Sequence, residues 1–208
     1  MNKIAEITIL RAVESLRFWR AVLENERVES SRLLLASTAR PYIWPPFEEI
    51  EAICKCQECG HVRKHKGGAP AVRCDCGIYG YKNSQVIASK YQKFPSTVFG
   101  KVTLWEDVIE APLGYRGKFG YPQSLMGAVC LLCKRLVPLE QTTLFILPGE
   151  MRKVGKKFGI PPDSILIICS TCRENTRLHV GYRLGWYLGL ASTYGIPIDE
   201  LPDFNEKD

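Results

Sequence analysis

Cysteines in this chain come in pairs, and that pairing constrains the fold more than any other feature. Of the nine cysteines in 208 residues, eight fall into Cys56-x2-Cys59, Cys74-x-Cys76, Cys130-x2-Cys133 and Cys169-x2-Cys172, and Cys54 stands just ahead of the first pair. A CxxC turn lets two thiolates grip one ion, and two such turns complete the tetrahedral shell that Zn²⁺ favours. The first ten residues include Lys3 and Glu6 and lack the apolar core of a secretory signal. The most apolar tract, 184–191, is far shorter than the roughly 18 residues of a membrane span. The expectation is therefore a cytoplasmic protein with no membrane association. Its thiols stay reduced there, and paired cysteines point to metal before disulfides.

Cys130, Cys133, Cys169 and Cys172 form the clearer set. Strands are predicted at 143–147 and 164–168, with a helix at 150–158 between them and a long helix from Thr176 to Tyr194 after the second pair. A knuckle, a strand region and a second CxxC where strand turns into helix resemble the treble-clef zinc finger. Thioredoxin-like redox chemistry uses one CxxC on a βαβ unit, not two matched pairs. A structural zinc is the expectation.

The N-terminal set offers seven candidates for four places: Cys54, Cys56, Cys59, His61, His65, Cys74 and Cys76. Glycine follows both Cys59 and Cys76, which favours a knuckle of Cys56, Cys59, Cys74 and Cys76 and leaves Cys54 as a small buried thiol. A shell of Cys54, His65, Cys74 and Cys76 is the competing assignment. Either shell is full, whereas a catalytic zinc keeps an open position. Two structural Zn²⁺ ions and no catalytic residues follow.

Elsewhere the pattern is mainly β. Strands are predicted at 7–10, 18–23 and 32–36, although Val13, Leu16, Trp19 and Leu23 also fit one helix over 13–26. Pro46 followed by Glu48 and Glu49 predicts a helix over 47–53. A strand is expected at 78–81, and a helix to Lys90 capped by Asn83 or Ser84. A hairpin of 98–109 and 115–121 should turn at Ala111-Pro112-Leu113-Gly114. Gly181, Gly185 and Gly189 would line one face of the last helix, where tight packing must offset roughly 1 kcal/mol each. Phe158-Gly159-Ile160-Pro161 and Tyr194-Gly195-Ile196-Pro197 both read as helix stops.

The net charge of +6 permits a polyanionic partner without requiring one. Aromatic and basic residues interleave after Cys76, and rings that stack on bases beside cations that meet phosphates suit nucleic acid. The candidate contacts are Arg63, Lys64, Lys66, Lys82, Tyr115, Arg116 and Lys118. Two alternatives stand beside this reading. One is a protein-interaction adaptor using the last helix or exposed aromatics. The other is a small-ligand or modified-base binder with a pocket of Tyr79, Trp105, Arg116 and Tyr121. No phosphate-binding loop, dinucleotide fingerprint, nucleophile elbow or paired catalytic carboxylate is present in the sequence.

Trp44-Pro45-Pro46, Glu51-Ala52-x-Cys54, Ala69-Pro70, Cys74-x-Cys76-Gly77-Ile78-Tyr79, Gly100-x-Val102-x-Leu104-Trp105, Gly114-Tyr115-Arg116 and Tyr121-Pro122 resemble a family of bacterial, largely actinobacterial, and phage proteins of uncharacterised function. The resemblance spans 44–125. It implies a shell of Cys54, a histidine ahead of Ala69-Pro70 (His65), Cys74 and Cys76, with Cys56 and Cys59 an addition and Gly80 in place of alanine. The fold expected is α+β: a zinc-stabilised β-rich N-terminal domain over 1–124, in one form a small barrel, and a treble-clef-like zinc finger over 125–208. The function expected is non-enzymatic recognition, most of all of nucleic acid.

Overall fold

A computed structural model describes residues 7–9, 11–24, 32–38, 42–54, 68–71, 74–146, 165–176 and 182–202. Its frame is three long antiparallel strands, β2 (Val13–Leu23), β6 (Thr97–Trp105) and β9 (Phe119–Val129). β2 is the segment whose spacing also fits a helix. Tertiary pairing decides for the strand, because Val13 to Trp19 align with Leu104 to Val98, and Trp19 to Leu23 with β3 (Leu33–Ser37).

Around this frame lie β1 (Ile7–Ile9), β4 (Ile50–Glu51), β5 (Ile78–Tyr81), β7 (Val108–Ala111), β8 (Gly114–Gly117) and β10 (Leu136–Pro138). The strands run β1-β7-β8-β5-β2-β6-β9-β10, an open path among the described residues and not a closed barrel. β5 meets β2 through a single pair, Leu16 with Tyr81. Gly80 allows this. A Cβ on it would lie 1.9 Å from Ser15 Oγ, so an alanine at this position would need Ser15 to move.

The hairpin expected of 98–109 and 115–121 is kept only around its turn at Pro112-Leu113, as β7 with β8; the chain breaks at Glu106 and Asp107, both at positive φ, and β6 pairs instead with β9. Asn83 caps α1 (Ser84–Ala88), its Oδ1 accepting from the Val86 N–H at 3.1 Å.

A second sheet has the order β12-β11-β13, from β11 (Thr142–Ile146), β12 (Ile165–Cys169) and β13 (Tyr182–Arg183). Two helices accompany it, α2 (Ser170–Thr176) and α3 (Trp186–Tyr194). The boundary read between residues 124 and 125 falls inside β9. One apolar cluster joins both sides of it: Trp19, Trp44, Val102 and Leu104 with Leu144, Ile167, Trp186 and Tyr194. The Tyr194 hydroxyl donates to Trp44 O at 2.6 Å and accepts from the Leu35 N–H at 2.8 Å.

Two helix expectations are corrected. Residues 47–53 are not helical. Phe47 has φ +61°, Ile50 pairs with Gly120, and the Ala52 N–H donates to Lys118 O, so the sheet takes the backbone groups that a helix would use. The single helix from Thr176 to Tyr194 is replaced by α2, β13 and α3. Tyr182 and Arg183 pair with Phe145 and Leu144, and Gly185 at φ +61° starts a new helix. Gly185 is therefore a cap and Gly189 lies inside the helix, Gly181 lies outside the described residues, and a Cβ at exposed Gly189 would meet nothing within 4 Å. Gly195, at φ +63°, ends α3 as expected. The helix expected at 150–158 and the stop at 158–161 lie outside the described residues.

Candidate metal centres

The C-terminal centre is assembled by two turns facing each other. β9 ends at Val129, and the chain reverses through Cys130 and Cys133 into β10. The Cys130 N–H donates to Arg135 O at 2.9 Å, and Lys134 takes φ +56° with its N–H on Cys130 O. Opposite, β12 delivers Cys169 and the first turn of α2 delivers Cys172. All four sulfurs lie within 4.8 Å of one another.

Cys133 and Cys169 are 3.8 Å apart. That is too far for a disulfide, whose sulfurs sit about 2.05 Å apart. It equals the edge of a tetrahedron about an ion roughly 2.3 Å from each sulfur, about 3.8 Å. Backbone N–H groups of Cys169, Arg135 and Cys172 point at the sulfurs of Cys130, Cys133 and Cys169. Such bonds favour thiolates.

The electrostatics of this group call for a cation. Burial raises Cys133, yet bonds from the Arg135 backbone and guanidinium and from Cys130 and Cys172 bring it down to about 6. Two neighbours respond in the opposite direction: burial and then neighbouring sulfur groups push Cys172 up to about 12, and burial raises Cys169. One thiolate forms readily and opposes the next. A divalent ion removes the conflict by stabilising every thiolate together.

The N-terminal centre brings together Cys54, Cys74 and Cys76, again with sulfurs within 4.8 Å and with Cys54 and Cys74 at 3.6 Å. Cys54, left over in the favoured sequence assignment, is half-buried beside the other two. Cys56, Cys59, His61 and His65 lie outside the described residues, as do Arg63, Lys64 and Lys66. Burial raises Cys76. Among the described residues, the apolar side chains packed with the group are small: Ala52, Ala69 and Ala71. What holds it is Arg116. That side chain is 3% exposed, and its Nη1 donates to Cys74 O, to Cys76 O at 3.2 Å and to Ala71 O at 3.5 Å.

Arg116 was expected on a nucleic-acid surface and instead lies under the first cysteine turn. Lys82 is half-buried in an ion pair with Glu110 and sits 5.6 Å from the ring centre of Tyr115, itself half-buried. Lys118 pairs with Glu106 at 3.0 Å, a bond that raises the ammonium above its ordinary range. The four pocket candidates are each otherwise engaged. Tyr79 lies against Arg116, Trp105 stacks on Phe119 at 6.2 Å, and the Tyr121 hydroxyl joins the Phe47 N–H to Tyr194 O.

Sequence reasoning missed Arg116 as the clamp of the first centre. The one available signal was its place in Gly114-Tyr115-Arg116-Gly117, where the flanking glycines let neighbouring strands approach. A Cβ at Gly114 would meet Gly80 O at 2.0 Å. No family model, curated protein or solved structure matches the chain. No described helix is long and apolar enough to cross a membrane.

Proposed function

We propose that this chain is a non-enzymatic recognition protein built on two structural zinc centres. The observation that carries the proposal is the packing of the Cys130, Cys133, Cys169 and Cys172 sulfurs within 4.8 Å. That spacing suits a closed shell with no position for substrate. The surrounding order supports a treble-clef reading: a knuckle at 130–133, the antiparallel pair β11–β12, then α2 carrying Cys172. With Cys54, Cys74 and Cys76 assembled, a four-coordinate first centre needs one more donor, so Cys56 and Cys59 do not both join. His65 is the donor that the family resemblance favours.

The partner that fits best is nucleic acid. Cys54 and Cys74 lie side by side, so the first centre pins both ends of segment 55–73. That segment carries Lys55, Arg63, Lys64, Lys66 and Arg73 against Glu58 alone, most of the chain's net +6. A metal-anchored basic loop meets phosphates without sequence preference. Lys82, Tyr115 and Lys118 would serve as secondary contacts, and such a protein works in the cytoplasm of a bacterium or in a phage-infected cell.

Fluorescence anisotropy with short DNA and RNA, across a salt series, tests this reading. Affinity should fall steeply with salt, and reversing Arg63, Lys64 and Lys66 to glutamate should reduce it by at least about tenfold. Salt-independent binding, or none, would remove nucleic acid from the account while leaving the zinc centres in place. One observation favours a protein partner instead: Leu184 and Leu188, at the start of α3, are 64% and 58% exposed. A pull-down resistant to nuclease, and lost in Leu188→Glu, would favour that second reading.

A further inference from the structure

The outer face of α3 departs from the usual pattern of a surface helix. Its inner face, Trp186, Leu190, Ala191 and Tyr194, is buried. The opposite face of such a helix ordinarily carries charge, yet no charged residue occurs from Leu184 to Ile198. Leu188, Ser192 and Gly195 recur at i, i+4 and i+7 and so share one face. All three are exposed, as are neighbouring Gly189 and, in the turn ahead of the helix, Leu184.

Phe47 closes the far end of this face. A Cβ on Gly195 would meet Phe47 Cε1 at 2.8 Å, so the ring lies against the end of α3. It is nevertheless 73% exposed, more than any other large apolar residue described. Its φ of +61° is a conformation that costs free energy in a bulky residue. The Tyr121 hydroxyl fixes it there, accepting from the Phe47 N–H at 2.9 Å and donating to Tyr194 O at 2.9 Å. The face is thus a shallow trough. Leu188 and Phe47 stand at its ends, and Gly189, Ser192 and Gly195 form its floor. A Cβ at Gly189 would meet nothing within 4 Å, so the floor there is open.

Charge and shape select the occupant. A polyanion or a charged peptide finds no ion pair on this face. Copies of a chain with net charge +6 repel one another, and an uncharged face lets them meet. A two-fold interface also requires each copy to supply both knob and hollow, which Leu188 and the small residues beside it do. We propose that α3 pairs with α3 of a second copy of this chain, the two helices crossing antiparallel about a two-fold axis beside Leu190. Each Leu188 then sits over Ser192 and Gly189 of the other copy, and each Phe47 meets Leu184 at the opposite end. This gives a definite partner to the protein-partner reading, which rests on the same leucines. Few side chains take part compared with the roughly 800 Å² per copy of a standard interface, so the dimer is weak, with a Kd on the order of 10 μM.

Analytical ultracentrifugation of the full-length, zinc-loaded chain tests this, after nuclease treatment and under reducing conditions, from about 1 to 300 μM. The average mass should rise with concentration from that of one chain towards that of two, and stop there. Leu188→Glu should weaken association at least about thirtyfold, and Phe47→Ala about tenfold. Gly189→Phe should abolish it by filling the floor, at a position where its own chain leaves room. Leu113→Glu, at an exposed leucine in the β7–β8 turn, should leave it unchanged. A single-chain mass throughout, growth beyond two chains, association that survives both Leu188→Glu and Gly189→Phe, or equal loss in Leu113→Glu overturns the dimer. A single-chain mass together with a nuclease-resistant pull-down lost in Leu188→Glu would remove the second copy and leave the protein-partner reading standing.

Discussion

The two cysteine centres differ in what surrounds them. The C-terminal centre sits in its own apolar shell of Phe145, Ile168, Leu131, Val137 and Leu166, and joins the β9–β10 turn to β12 and α2. The N-terminal centre is bordered by alanines and clamped by Arg116. The comparison separates two uses of a metal. At the C-terminal centre, an ion would lock together elements that packing already brings close. At the N-terminal centre the described apolar neighbours are small, so an ion and the Arg116 guanidinium would hold the turn between them.

The largest effect should come from breaking the C-terminal lock. Cys169→Ser leaves three thiols in a buried site and uncouples the two sheets. It should remove one zinc per chain and lower global stability by more than about 4 kcal/mol. Chemical denaturation alongside metal analysis checks both. A full zinc complement in that variant would break the comparison at its stronger half.

Cys54→Ser comes next. One zinc should again be lost, at about 3 kcal/mol or less of global stability, because few apolar contacts depend on the first centre. Hydrogen exchange should speed up around 52–54 and 74–77 and stay slow in β9 and β12. Substituting Cys56, Cys59, His61 and His65 one at a time sharpens the result, since only the fourth ligand should reproduce the loss.

Arg116→Met should cost about 3 kcal/mol, through carbonyls left buried without a donor. It should weaken zinc at the first centre without touching the second. Chelator competition in the variant reads the two centres separately, and equal weakening of both would refute the clamp.

The smallest effect is a control outside both centres. The neighbouring Ser124 hydroxyl and then Lys101, at 3.2 Å, hold the Asp199 carboxyl below its ordinary range, against burial. A depressed carboxylate contributes stability that is full above about pH 4 and is lost as pH falls through its folded value. Asp199→Asn should cost less than about 1 kcal/mol at neutral pH, flatten the acid limb slightly and leave both zincs bound.

Local signals were legible in the sequence where the cause was local. Asn83 caps its helix, Pro112 marks a turn, Gly195 ends α3, and the Cys130-x2-Cys133 and Cys169-x2-Cys172 turns announce their centre before any folding is known. Where partners are distant, the pattern misled. Pro46 and two glutamates suit a helix start, but Gly120 and Lys118 claim that backbone for the sheet. The stretch after Thr176 is helical in composition, yet β11 pairs with Tyr182 and Arg183. Arg116 looks like a surface cation until strand register places it beneath Cys74. Cys54 joins its centre through the β4–β9 pairing, which its sequence spacing does not encode.

The central claim, that both cysteine groups are structural zinc centres, is tested most directly by the zinc-to-protein ratio of the full chain purified under reducing conditions. The account predicts two zinc per chain, falling to one in Cys169→Ser and to one in Cys54→Ser. A wild-type ratio of one or none, with the remaining thiols freely reactive, would contradict it.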